Sequence, residues 1–252
     1  MARLITRTPW TSQPQILTPL DPAYKAIGAY TPITSAALNQ AKKYPALVAT
    51  NAPTVSAGPA GLQWNFNGSN QYFSGNLGAA QLEGFTIIAI GTPTNVAGGG
   101  AIVTIANTAL SQGSYGLRIN AGVVGAYAYS TAGAFNESTH AVAAVNNRTY
   151  VFGAVFASTA LRTVYLNGTP GTPNTTSGAV TSASQFSIGV LNRSGITQYW
   201  PGGVNGVFVL PWALTDAEMA RMKTPADVWA AMYAPIQRTI WVPAAAGGAT
   251  YT

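Results

Sequence analysis

The sequence predicts an all-β fold, a sandwich or barrel of short strands behind an extended N-terminal arm. Three observations carry this. Between about Leu62 and Pro211, short β-prone runs recur at roughly ten-residue spacing, separated by Gly, Asn, Ser and Thr. The chain holds 27 Gly and 16 Pro among 252 residues, which leaves little room for long helices. Hydrophobic residues make up 48% against 7% charged, the reverse of a disordered composition. The length suits one large β domain with an appendage, or two small domains.

Taken in order, the first sixty residues form the arm. Eight prolines fall there (Pro9, Pro14, Pro19, Pro22, Pro32, Pro45, Pro53 and Pro59), each removing a backbone donor and pushing its predecessor toward extended conformation. Ser35 can cap one short helix over Ala36–Lys43, with Lys42 and Lys43 at its favourable C-terminal end. Eleven strand segments follow: Leu62–Phe66, Gln71–Ser74, Phe85–Thr92, Ala101–Ala106, Tyr115–Asn120, Val123–Tyr129, Ala141–Val145, Tyr150–Ala157, Arg162–Leu166, Gln185–Val190 and Val204–Leu210. Both alternating faces of Tyr150–Phe156 are apolar, as in a central strand covered on both sides. Asn167-Gly168 accepts the positive φ angles of a type I′ hairpin. Thr215 with Glu218 reads as a capping box, and Thr224-Pro225-Ala226-Asp227 repeats the logic with Pro in the first turn. An extended ribbon, Pro235–Pro243, precedes a tail of small residues. The expected organisation is an arm over 1–60, a β domain over 61–234, and a ribbon and tail over 235–252.

Composition removes several function classes. Six carboxylates in the whole chain leave little for a glycosidase pair or a calcium cage. Asp216, Glu218 and Asp227 are accounted for by capping, and Asp21, Glu83 and Glu137 share no spacing. The absence of cysteine rules out disulfides, thiolate nucleophiles and Cys-based zinc sites. Net charge is +6, but the twelve basic residues are scattered, with only Lys42-Lys43 adjacent; no basic stripe marks a nucleic-acid face. No apolar run reaches the length of a membrane helix, and the opening residues lack the apolar core of a secretory signal. His140 reads as a hydrogen-bonded surface histidine at the mouth of a strand. Gly98-Gly99-Gly100 lacks the following Lys-Ser/Thr of a phosphate loop. Six Asn-x-Ser/Thr triplets, beginning at Asn67, Asn136, Asn147, Asn167, Asn174 and Asn192, reflect turn composition. The expectation is a non-enzymatic protein with no metal and no cofactor.

Asn67-Gly68-Ser69-Asn70-Gln71-Tyr72-Phe73 resembles the opening of LamG-like, concanavalin A-like jelly rolls. Phe85–Ile90, the pair Tyr115–Asn120 and Val123–Tyr129, and the hairpin at Val164–Gly168 follow in that family's order. So do Phe186–Gly189 and the closing run Gly202–Val209 with Ala213–Met219. The flanks, Trp10–Gln15 and Pro235–Pro243, resemble the ends of stand-alone LamG-like proteins encoded by tailed bacteriophages. The resemblance implies an antiparallel two-sheet jelly-roll sandwich. The chain departs from the family at Arg148-Thr149-Tyr150, where many members carry a Trp-His pair. The acidic residues that often supply calcium have no counterpart, nor does the carboxylate strand of the family's glucanases.

The expectation drawn from this resemblance is a virion structural protein, a capsid decoration or head-fibre component. Its arm would dock other virion proteins through Arg3, Arg7, Trp10, Ile16 and Leu17, and it would be oligomeric in the assembled particle. A tail or baseplate role is the second placement. The rival class is a lectin or adhesin holding host surface polysaccharide. Tyr127 and Tyr129 lie two apart on one strand and so share a face, while Asn192, Tyr199 and Trp200 cluster in a later loop. Flat aromatic faces beside amides suit sugars; the same rings equally serve core packing.

Overall fold

The computed structural model describes residues 28–32, 46–76, 82 and 84–233. They form two antiparallel sheets packed face to face as a jelly-roll sandwich. The first sheet runs β13 (Thr169–Pro170), β12 (Arg162–Leu166), β11 (Tyr150–Phe156), β6 (Phe85–Pro93), β17 (Pro201–Leu210), β4 (Gly61–Asn67) and β3 (Thr54–Gly58). Its eighth strand, β1 (Gly28–Tyr30), pairs with the second half of β17, while β4 takes the first half. The second sheet runs β10 (Phe135–Thr139), β9 (Val123–Tyr129), β8 (Ser114–Asn120), β7 (Gly100–Ala106), β14 (Gln185–Ile188), β5 (Tyr72–Asn76) and β2 (Val48–Thr50). A small hairpin, β15 (Leu191–Asn192) and β16 (Ile196–Thr197), joins neither ladder but packs on the second sheet, Leu191 against Ala101 and Tyr127.

Strand alternation decides what each sheet buries. On β4, Trp64 and Phe66 point into the sandwich while Gln63 and Asn65 face outward; on β9, Val124, Ala126 and Ala128 point in. Both faces of β11 are buried, as its sequence predicts. Its inner residues Phe152, Ala154 and Phe156 join the main core, and its outer residues Val151 and Val155 join a second cluster. Two short helices, α1 (Asp216–Met219) and α2 (Pro225–Met232), cover that cluster with Met219, Val228 and Met232. Gly153 makes this possible, because a Cβ there would lie 2.3 Å from the Met219 methyl. Both predicted capping boxes are present, Thr215 with Glu218 and Thr224 with Asp227. The predicted hairpin is present too: Asn167 and Gly168 adopt φ of 50° and 77° between β12 and β13.

Three expectations need correction. Ala141–Val145 is not a strand; the strand of this region is β10, just before it. The 140–146 segment folds across the end of the β8–β9 hairpin, with the His140 N–H bonded to Val124 O and the Ala144 N–H to Gly122 O. His140, expected at the surface, is consequently buried; the hydrogen bonding expected of it is present, its Nδ1 accepting from the Val142 N–H at 3.0 Å. The sandwich also begins well before residue 61, since β1, β2 and β3 all lie inside the expected arm. Proline bounds these strands without excluding them. β2 and β3 fit between Pro45, Pro53 and Pro59, and each takes a sheet edge, where short strands and missing donors are tolerated. Tyr30 of β1 stacks on Phe186 of the sandwich itself at 5.2 Å. The helix expected at Ala36–Lys43, the ribbon over Pro235–Pro243 and residues 1–27 lie outside the described residues.

Candidate functional site

The outer face of the second sheet, at its β8–β9–β10 end, carries a group of aromatic and charged side chains in mutual contact. Register brings them together. Tyr129 stands opposite Phe135 on one side and Ser114 on the other; Tyr127 stands opposite Glu137 and Gly116. Two glycines make room. A Cβ at Gly116 would lie 2.4 Å from the Tyr127 ring, and one at Gly125 would lie 2.1 Å from the Glu137 carboxylate. The Tyr127 ring therefore lies flat on the sheet and is only 1% exposed. Burial pushes its phenol up to about 12, against the pull of Arg118 and of the neighbouring Ser114 hydroxyl.

Above this buried ring sits Phe135, 45% exposed, stacked on Tyr127 at 5.4 Å and edge-on to Tyr129 at 5.9 Å. Arg118 donates from Nε to Glu137 Oε1 (2.7 Å) and from Nη2 to Oε2 (3.1 Å), and its guanidinium lies 4.7 Å from the Phe135 ring centre. Arg193, at the tip of the β15–β16 hairpin, lies 4.9 Å over Tyr129 and has no carboxylate partner among the described residues. The face thus combines an open aromatic ring, a neutralised ion pair and one uncompensated cation. Such a surface holds a flat, partly apolar ligand by stacking and orients its polar groups by N–H donors.

The residues singled out in the sequence separate here. Tyr127 and Tyr129 share the face as expected, Tyr127 as its buried floor and Tyr129 as half-exposed wall. Asn192 is half-buried beside Arg193. Trp200 is corrected: its indole is 0% exposed, edge-on to Phe152 at 5.9 Å in the main core. The Trp200 backbone N–H bond to Gly189 O and the start of β17 at the next residue turn the ring into the sandwich. Tyr199 stands elsewhere, 6.2 Å from Tyr72 on β5. Arg3, Arg7, Trp10, Ile16 and Leu17 lie outside the described residues.

Sequence reasoning missed Phe135 and Arg118. Phe135-Asn136-Glu137-Ser138-Thr139 shows no apolar alternation, because its inward position is Ser138. That hydroxyl donates to Thr172 O (2.7 Å) and accepts from the Val164 N–H (2.9 Å), replacing a hydrophobic contact. The usable signal was Tyr127-x-Tyr129 on β9, which asks for an aromatic partner on the adjoining strand. Among the described residues no cluster of His, Asp and Glu can hold a metal ion.

No family model and no curated protein matches the chain. Solved structures do. Domain 4 of AbnA, a GH43 extracellular arabinanase from Geobacillus stearothermophilus, solved with arabinotriose, aligns over 79% of this chain and 98% of its own, with TM-score 0.66 and 11% identity. The binding domain of Paraclostridial Mosquitocidal Protein 1 aligns over 79% of this chain and 52% of its own (TM-score 0.62, 12% identity). A SAP-like pentraxin from Limulus polyphemus aligns over 64% and 80% (TM-score 0.51, 16% identity). The chain spans all but the ends of the arabinanase domain and about half of the toxin binding domain. At these identities the likeness is one of fold.

Proposed function

We propose that this protein is a non-catalytic carbohydrate-binding module that seats a sugar ring on the Phe135–Tyr129 face. Arg118, Arg193 and Asn192 serve as polar contacts around the ring. The observation that carries this reading is the exposure of Phe135 above rings that are themselves packed. Leaving a phenyl group wholly in water forgoes about 1.5–3 kcal/mol of burial, and the 45% exposure of Phe135 roughly half of that. Here that surface is held rigid by stacking on Tyr127 and available to a ligand. Rigid aromatic anchors bind at low entropic cost. The arabinotriose bound to the structurally similar arabinanase domain supports the choice of ligand class.

The non-catalytic part of the proposal rests on the described carboxylates, each of which has a structural task. Glu137 is held by Arg118, Glu218 and Asp227 close capping boxes, and Asp216 accepts from the Tyr165 hydroxyl. None is left facing the aromatic platform as an acid or base.

A glycan array with the wild-type chain and Phe135→Ala tests the reading. Reproducible binding by the wild type and at least a roughly ten-fold loss in the variant, equivalent to about 1.4 kcal/mol, are expected. Equal binding by both would refute the assignment of the site.

A further inference from the structure

The outer face of the first sheet divides into two halves. Beneath α1 and α2 it is apolar, with Ile88, Ile90, Val151 and Phe208. Beyond the helices it is open and polar. There Thr54, Asn65, Gly203 and Thr92 stand side by side across β3, β4, β17 and β6. The missing side chains at Gly202 and Gly203 leave a groove of about 300 Å³ between Gln63 and Asn65 on one wall and Thr92, Thr94 and Asn147 on the other. That volume falls at the lower end of small-molecule pockets, roughly 300–1,000 Å³.

The polar groups of this groove form a chain that is short of donors. Asn65 Nδ2 donates to Ser56 Oγ (2.9 Å), and Gln63 Nε2 donates to Asn65 Oδ1 (2.7 Å). Gln63 Oε1, at the head of the chain, is buried without a hydrogen-bond partner. Buried acceptors without donors are disfavoured, so a ligand that supplies donors gains where an apolar one does not. No charged residue lines the groove, so an ionic ligand would be desolvated there without a counter-charge. The Gln63 amide lies across Gly58 and Gly203, where added Cβ atoms would approach it to 2.1 and 2.4 Å. Those glycines leave the space that the amide fills at the groove wall.

We propose that this groove is a second binding site, for an uncharged sugar, on the sheet face opposite Phe135, with the Gln63 side-chain oxygen accepting a ligand hydroxyl. The site is independent of the aromatic face: it lies on the other sheet and uses amides and hydroxyls in place of rings and arginines. Its binding is insensitive to salt, since no ion pair is made or broken.

Amide chemical-shift mapping of the full chain with maltotriose, xylotriose and arabinotriose, each to about 10 mM to reach millimolar affinities, tests the proposal. Trigalacturonate serves as the charged comparison. Shifts at Gln63, Asn65, Gly202, Gly203 and Asn147, separate from any at the aromatic face, are expected with at least one neutral probe and absent with trigalacturonate. Thr94→Trp, an exposed position at the groove wall, should weaken that binding at least ten-fold without unfolding the protein. Phe135→Ala should leave it unchanged, so failure of the aromatic-face assignment would not touch this one. No shift at the groove with any neutral probe, or wild-type affinity in Thr94→Trp, would overturn it.

Discussion

Replacing Trp200 separates a surface role from a structural one. Its indole has no exposed area and meets Phe152 edge-on, so Trp200→Ala opens a cavity in the main core. Truncating a buried aromatic to alanine costs about 3–5 kcal/mol, as lost transfer energy plus the void that remains. In a domain of this size each kcal/mol shifts Tm by about 2–4 °C, so the drop should be roughly 6–20 °C. One feature of the site tempers the loss. The indole Nε1 is buried without a hydrogen-bond partner, an arrangement that itself costs about 1–3 kcal/mol. Trp200→Phe keeps most of the ring and removes that orphan donor, so its net change should stay within about 1 kcal/mol of wild type. Urea unfolding of the three proteins, with the m-value checked for constancy, measures both differences. A Trp200→Ala protein as stable as the wild type but unable to bind glycan would refute the core placement and restore the surface reading.

Three further outcomes follow from single contacts. Thr215→Ala removes the α1 capping box and should cost about 0.5–2 kcal/mol in thermal or urea unfolding. The Thr215 backbone N–H holds the Glu218 carboxyl below its usual value, so this contribution is full above the ordinary Glu pKa of about 4.3 and fades as pH falls through the lowered one. Thr215→Ala keeps that N–H and removes only the smaller share that the Thr215 hydroxyl donates to Glu218, so the variant should lose slightly less stability than wild type on acidification, and a steeper acid loss would argue against the hydroxyl's part in the box. Arg162 is buried and donates to Asn174 Oδ1 and to the carbonyls of Thr159 and Thr176. Arg162→Met should destabilise by roughly 2–4 kcal/mol, because it orphans those acceptors, and should speed hydrogen exchange in residues 172–178 first. Gly116→Ala drives a methyl into the Tyr127 ring; about 1–3 kcal/mol of overpacking and impaired glycan binding together are expected, and intact binding would show that Tyr127 does not support the face.

Much of the fold was legible because its signals are local. Ten of the eleven predicted segments overlap observed strands, and the exception, Ala141–Val145, is instructive. Its residues are small and apolar, as a strand's often are. Yet the ladder runs through Phe135–Thr139, whose inward Ser138 is satisfied by hydrogen bonds from partners remote in sequence. The site was half legible. Alternation placed Tyr127 and Tyr129 on one face, but nothing within a few residues of Phe135 said that it would stand opposite Tyr129.

By itself the sequence determined the all-β class, the type I′ turn at Asn167-Gly168, the two capping boxes and the two-sided burial of Tyr150–Phe156. Each depends on φ preferences, hydrogen bonds or periodicities that close within about ten residues. The tertiary structure alone decided that Gly28 pairs with Val209, that Trp200 turns into the core, and that Arg193 reaches back over Tyr129. It also decided that Gly116 would give its place to a tyrosine ring. These outcomes depend on sheet register between segments far apart in the chain. The free energy that selects a register is shared among all the side chains on both faces, so no short stretch encodes it.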